Sequence, residues 1–224
     1  MSALEGTNRD DQGTWPARIY LVRHGRTELN AAGAFRGHLD VALDAMGRKE
    51  ASRLGRLLGQ RLPRRVVTSP LRRAVETGDA IARQAGVGTH VDLRLVDRDY
   101  GEWAGTPVIE VINRFGSVDA APGVEPAADV QARALAAMLD IARGSVLGAT
   151  VAVSHDAINR TVLAALDPAL GLPDEIPQDT GCFNTIVCDM SADGPVRWRV
   201  LNVNELPDDV ELEQPRATQP EGTS

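Results

Sequence analysis

The sequence predicts a single α/β domain with a mostly parallel mixed sheet flanked by helices. Two observations carry that prediction. Short apolar runs without alternation, Ile19 to Val22, 65–68 and 149–153, suit strands buried on both faces. Each run is followed by a stretch with helical periodicity, and strands alternating with helices build parallel sheets.

The elements follow in order. Residues 1–16 are polar, mixed in charge and aperiodic, and are expected to form a disordered tail. The first strand stops at Arg23-His24-Gly25, and Thr27 is placed to cap a short helix. Residues 31–44 are glycine-punctuated loop. A helix is expected over 46–62, with Leu54, Leu57, Leu58 and Leu62 as its apolar stripe and Pro63 after its end. After the strand RVVT, Ser69-Pro70 starts the next helix as N-cap and first position, and Gly86 ends it.

Residues 89–95 read as a strand, 96–106 as loop, 107–115 as a short helix and 116–126 as loop. The next helix spans 127–143, with Val130, Ala134, Leu135, Met138 and Ile141 inward. The run ATVAV ends at Ser154-His155-Asp156, and a helix continues to about Leu166. Two final strands, 182–190 and 196–203, are joined as a hairpin across 191–195. The folded domain is therefore expected over 17–204, with an acidic, disordered tail over 205–224.

Composition narrows the class. The chain has 224 residues and a mass of 24.0 kDa, enough for one substantial core. A net charge of -7 argues against a general nucleic-acid or anionic-membrane binder. No apolar run approaches the ~20 residues needed to cross a bilayer. The first residues lack a basic-then-apolar leader pattern. Cys182 and Cys188 have no metal-ligand spacing and read as buried reduced thiols. The expected location is cytoplasmic; the oligomeric state is unreadable.

Three junctions share one feature. Arg23-His24, Arg72-Arg73 and His155 each stand where a buried strand gives way to a helix, the edge at which open α/β sheets bind ligands. Arginines in a first helical turn oppose the helix dipole, a placement that an anion would reverse. Arginine also matches phosphate with its planar fork. The residues themselves thus point to a phosphate pocket containing two histidines. His38 and His90 lack that context and read as surface or loop histidines.

RHGRTELN resembles the RHG(E/Q)TxxN signature of the histidine phosphatase superfamily, also called phosphoglycerate mutase-like. SPLRRAVETG is similar to its second motif, SxLxRAxxTA; DRDYGEW resembles ExxxGxW, and VSHDAINR resembles (S/A)HGxxxR. The likeness runs in order from about residue 18 to 203. It implies the three-layer fold of that superfamily and assigns roles by position. His24 would be the nucleophile that becomes a phosphohistidine. Arg23, Arg73 and His155 would clamp the phosphoryl oxygens, with Asn30 a further contact. Gly25, Thr27, Arg36 and Gly37 complete the expected substrate-binding set. Arg72 occupies the variable position and is expected to point outward or to the substrate's far end.

Two departures leave the proton donor open. Asp97 stands where the family has glutamate, and Asp156 replaces the glycine after the second histidine. The acid-phosphatase branch uses a His-Asp pair there, but RHGRTELN lacks that branch's RHGxRxP pattern. Asp97 is the expected acid and Asp156 the alternative. Arg26 replaces the usual Glu or Gln and adds positive charge, expected near the pocket mouth.

With arginines and histidine supplying charge, no metal or other cofactor is expected. The implied reaction is hydrolysis of a small phosphorylated metabolite. The short interval 107–126 is expected to leave the pocket open to water, which favours a phosphatase over a phosphoglycerate mutase, the runner-up. A non-catalytic phosphate-binding module is the third reading, and turnover of a simple aryl phosphate would distinguish it.

Overall fold

The computed structural model describes residues 17–145, 148–189 and 196–208. The elements are β1 (Ala17–Arg23), α1 (Glu28–Ala31), α2 (Ala45–Gln60), β2 (Arg65–Thr68), α3 (Arg72–Ala85), β3 (Thr89–Val91), α4 (Val108–Phe115), α5 (Ala127–Arg143), β4 (Thr150–Ser154), α6 (Asp156–Leu166), β5 (Phe183–Asp189) and β6 (Arg197–Glu205). They form one six-stranded sheet in the order β3-β2-β4-β1-β5-β6. β1, β2, β3 and β4 run parallel, while β5 pairs antiparallel with both β1 and β6.

Both faces of the sheet are covered, as its unalternating apolar runs require. Ile19 and Leu21 of β1 pack with Val67, Ala152 and the inner faces of α5 and α6. Tyr20 and Val22 point the other way, against Leu54 and Leu58 of α2 and Ala74 and Ile81 of α3. The result is the expected three-layer arrangement. A third cluster, Phe35, Tyr100, Val111 and Ala121, packs α4 over one end.

Register places the site. Arg23 of β1 lies beside Ser154 of β4, and Thr68 of β2 lies beside Val153. Three parallel strands therefore end at one level, with His24, Ser69 and His155 the next residues along. Nonlocal pairing thus brings together groups separated by up to 131 positions of chain numbering.

Several boundaries differ from the sequence expectation. Helix α3 begins at Arg72, not at Ser69-Pro70, and its N-cap Leu71 supplies no side-chain bond. The Ser69 hydroxyl instead meets His155. Leu62 does not join the α2 stripe: the helix ends at Gln60, and Leu62 turns outward with φ 49° before Pro63. The expected strand 89–95 is shorter, because Asp92 accepts from the Arg94 amide and starts a 3₁₀ turn at Leu93–Leu95. Another such turn, Gly101–Trp103, interrupts the expected loop. The pairing of β5 with β6 matches a hairpin, but its connection lies outside the described residues, as does the N-terminal tail. Glu205, expected in the C-terminal tail, closes β6; the tail beyond 208 lies outside the described residues.

Candidate active site

His24 is fully buried just past the end of β1. Its Nδ1 lies 2.7 Å from the Gly25 carbonyl oxygen, an acceptor only, so Nδ1 carries the proton. Nε2 is left with its lone pair, and Arg73 Nε donates to it across 3.2 Å. Burial, with Arg73 and Arg23 close by, holds the His24 pKa well below the ordinary imidazole value. The ring is therefore neutral at physiological pH.

Gly25 is needed for this orientation. A Cβ there would lie 3.0 Å from Gly47 Cα and overlap that residue's carbonyl oxygen. Its amide donates to Thr77 Oγ1 at 3.1 Å. Thr27 caps α1 in a reciprocal box with Asn30, as its position in the sequence suggested. Its amide and hydroxyl both donate to Asn30 Oδ1, at 3.0 and 2.8 Å. Both donors of Thr27, expected in the substrate-binding set, are thus engaged by Asn30. Asn30 keeps a buried Nδ2 without a partner among the described residues.

Arg73 is fully buried in the first turn of α3. Besides His24, it donates to the carbonyls of Leu39 (2.8 Å) and Gly37 (2.9 Å) and to Asp97 Oδ2 (2.9 Å). Gly37, with φ 48°, presents that carbonyl from a turn packed on Tyr100. Arg72 points outward, as expected from its variable position, and pairs with Glu76 at 2.7 Å. The Arg72 amide is covered by Asp40 Oδ1 at 2.7 Å, which counters the awkward charge at the helix start.

His155 stacks obliquely on His24, with ring centroids 5.1 Å apart. Its Nε2 lies 2.7 Å from Ser69 Oγ. Nδ1 is 3.8 Å from Asp97 Oδ2 and has no hydrogen-bond partner among the described residues. Burial, Arg73 and His24 together lower its pKa well below 6.5.

The two candidate acids occupy different electrostatic settings. Asp97 is completely buried, accepting from the Arg98 amide at 2.9 Å and from Arg73. Burial and the nearby Asp156 charge raise its pKa, outweighing Arg73 and Arg36. Asp156 sits at the first position of α6. Arg36 Nη2 reaches both its oxygens, at 2.6 and 2.7 Å, and Arg23 Nη2 reaches one at 3.2 Å. Burial alone would raise the Asp156 pKa, but Arg23 and Arg36 hold it well below the ordinary carboxylate value.

Other residues went unrecognised in the sequence. Arg133, within α5, ties Arg94, Val96 and Asp97 carbonyls together and pairs with Glu125. It braces the segment that carries Asp97. Its position beside Ala134 on a helix with an apolar face was the available signal. The Gln178 carbonyl accepts from Arg23 Nη1, and the Ser69 hydroxyl fixes His155. His38 is exposed, yet its Nε2 donates to the Asp97 carbonyl at 2.9 Å. Arg26, expected to charge the pocket mouth, is paired with Asp44, the N-cap of α2, at 2.8 Å.

The openness expected from the short 107–126 interval is not seen. His24, Arg73, Asp97 and His155 are all 0% exposed, and Asp156 has the most exposed side chain of the ring at 19%. α4 and its loops pack against Phe35 and Tyr100 instead of standing away.

A neutral histidine, a second histidine and three arginines, from β1, the α1–α2 loop and α3, thus converge at the ends of parallel strands. A model of the histidine phosphatase superfamily (branch 1) matches residues 19–205. The chain belongs to that superfamily. Glucosyl-3-phosphoglycerate phosphatase of Mycolicibacterium vanbaalenii is 37% identical over 94 residues, covering 42% of each chain. Phosphoglycerate mutase 1 of Saccharomyces cerevisiae is 36% identical over 104 residues, covering 44% of this chain and 42% of that one. The chain thus matches only about two fifths of the length of these curated relatives.

Solved histidine phosphatase structures cover far more. A mycobacterial glucosyl-3-phosphoglycerate phosphatase superposes with a TM-score of 0.73 at 25% identity, over 84% of this chain and 99% of that one. A Bacillus anthracis phosphoglycerate mutase superposes at 0.76 with 19% identity, over 89% and 99%, and so shares the fold. Among the described residues, no helix is long and apolar enough to cross a membrane.

Proposed function

We propose that this histidine phosphatase family member hydrolyses a small phosphomonoester through a phosphohistidine on His24. One observation carries the reading. Arg23 Nε, Arg36 Nε and His155 Nδ1 are buried without hydrogen-bond partners among the described residues, all on side chains grouped around His24. Buried orphan polar atoms are costly, and a bound phosphoryl group would supply their acceptors.

His24 Nε2 attacks phosphorus as the bond to the leaving oxygen breaks, and Asp97 gives that oxygen its proton. Water then attacks the phosphohistidine, Asp97 takes a proton from it, and phosphate leaves with His24 regenerated. Arg23 and Arg73 neutralise the spectator oxygens throughout, with the neutral His155 through Nδ1–H and Asn30 through Nδ2 as further donors. Arg36 and Gly37 shape the same pocket, Arg36 as a donor and Gly37 through the carbonyl that holds Arg73. The raised pKa of Asp97 and the neutral state of His24 suit these roles.

Hydrolysis is favoured over phosphate return by the likeness to glucosyl-3-phosphoglycerate phosphatases. The substrate class is a sugar phosphate or phosphoglycerate-like metabolite. Free, buried Cys182 and Cys188 support a cytoplasmic location. The folded unit is taken as 17–204, extended to Glu205.

Phosphate release from p-nitrophenyl phosphate tests the reading. Wild type should turn over, and the His24→Ala variant should lose activity by at least about 1,000-fold. No turnover of this ester or of a panel of phosphorylated metabolites would contradict it. Adding 3-phosphoglycerate with catalytic 2,3-bisphosphoglycerate separates a mutase from a phosphatase.

A further inference from the structure

Asp156 stands where the resembled motif has glycine, and its candidate role as an acid can be judged from its surroundings. The carboxylate is enclosed by N–H donors. Arg36 Nη2 contacts both oxygens at 2.6 and 2.7 Å, Arg23 Nη2 contacts Oδ2 at 3.2 Å, and the Ala157 amide contacts Oδ1 at 3.1 Å. It also begins the eleven-residue helix α6, whose amino end favours an anion. A proton on Oδ1 would face Arg36 and the Ala157 amide, and one on Oδ2 would face Arg36 and Arg23. This is a poor setting for a group that must carry a proton to a leaving oxygen.

The two arginines are themselves held at both ends. Arg36 Nη1 donates to the Ala34 carbonyl at 3.2 Å, and Arg23 Nη1 donates to the Gln178 carbonyl. Asp156 takes one Nη2 of each. What remains unpaired on both guanidinium groups is Nε, buried in each case. Asp97 has a separate partner in Arg73, 2.9 Å away. Two carboxylates thus divide three arginines between them without sharing one through a direct bond.

We propose that Asp156 is a positioning residue: it fixes Arg36 and Arg23 so that their free Nε–H groups meet the phosphoryl group, and it leaves proton transfer to Asp97. The proposal rests on the phosphatase reading above. Freed from Asp156, both guanidinium groups would have alternative rotamers and the pocket would gain an uncompensated positive charge. Misplacement of such donors by about 1 Å costs on the order of 100-fold in rate.

The test is kcat/KM for wild type, Asp156→Asn, Arg36→Gln and the double variant on aryl phosphates whose phenols span a range of acidity. A positioning role predicts that Asp156→Asn loses about 100-fold to the same extent with every leaving group. Arg36→Gln should lose activity just as uniformly. The double variant should lose less than the product of the two single losses, since Asp156 acts in part through Arg36.

A loss confined to poor leaving groups would make Asp156 the acid and overturn the proposal. Losses that multiply in the double variant would also overturn it. If Asp156→Asn does not fold, Arg36→Lys serves: it keeps the charge but lacks the Nε–H donor and cannot reach Ala34 and Asp156 together, and unchanged activity would contradict the proposal. Wild type inactive on every ester would instead remove the phosphatase reading itself, which separates the two failures.

Discussion

Arg73 Nε donates to His24 Nε2 across 3.2 Å, and the opposite ring nitrogen donates to the Gly25 carbonyl. The first contact keeps a positive charge at the nucleophilic atom, and the second fixes the tautomer. Together they hold a neutral imidazole with Nε2 unprotonated and a cation beside it; for attack on phosphorus the Arg73 Nε–H must release that lone pair and turn to a phosphoryl oxygen. Approach of two negatively polarised groups is eased by the charge already in place.

Arg73 should therefore resist its conservative replacement. Four acceptors surround one guanidinium plane: His24 Nε2, the Gly37 and Leu39 carbonyls, and Asp97. A lysine ammonium cannot meet them from one position. Arg73→Lys is expected to lower kcat by about 100- to 1,000-fold, read by phosphate release. A loss below about threefold would show that charge alone suffices.

Asp97 must be protonated to serve as acid, and its raised pKa sets the pH window. Activity on alkyl phosphates should fall as pH rises through that folded-state value. Asp97→Asn should remove this limb and cost about 100- to 10,000-fold on poor leaving groups, with much less lost on p-nitrophenyl phosphate. A pH–rate profile of both proteins on both substrates checks it. An unchanged limb in the variant would assign the proton elsewhere.

The outlines of this site were legible because they are local. Apolar runs ending at Arg23-His24 and at Ser154-His155 announce buried strand ends, and the Arg72-Arg73 pair opposes its own helix dipole. The division of the carboxylates was not legible. It depends on Arg36, in a loop, crossing to the first residue of α6, a contact 120 positions apart. Ser69 looked like a helix cap because Ser-Pro is a local signal. Its hydroxyl instead serves His155, since the β2–β4 register sets the two residues side by side. Arg133 sits in a helix whose periodicity says only that its neighbours are inward. Leu62 fits the apolar stripe in period, yet the helix stops two residues earlier, and periodicity carries no length information there.

Stability should depend on pH through the two histidines. Both are held neutral in the folded chain, while the unfolded chain binds their protons near pH 6.5. Below that pH the unfolded state holds more protons, so stability falls as pH falls. Two protons give at most about 2.7 kcal/mol per pH unit. Asp97 acts in the opposite sense. Its contribution is fully present below about pH 3.9 and is lost as pH rises through its raised folded value. Asp156 contributes above about pH 3.9 and loses that contribution as pH falls through its depressed folded value. Thermal melts between pH 7.5 and 5 should show a falling Tm. The slope should be shallower in His155→Gln and steeper in Asp97→Asn. A flat Tm in wild type would contradict the buried neutral histidines.

In this mechanism His24 carries the phosphoryl group. Wild type mixed briefly with a phosphomonoester, quenched in alkali and digested should yield a peptide containing His24 with one added phosphoryl group. The adduct should be stable in base, lost on acid treatment, and absent from His24→Ala. Turnover by wild type with no such peptide, or with the label on another residue, would contradict the account.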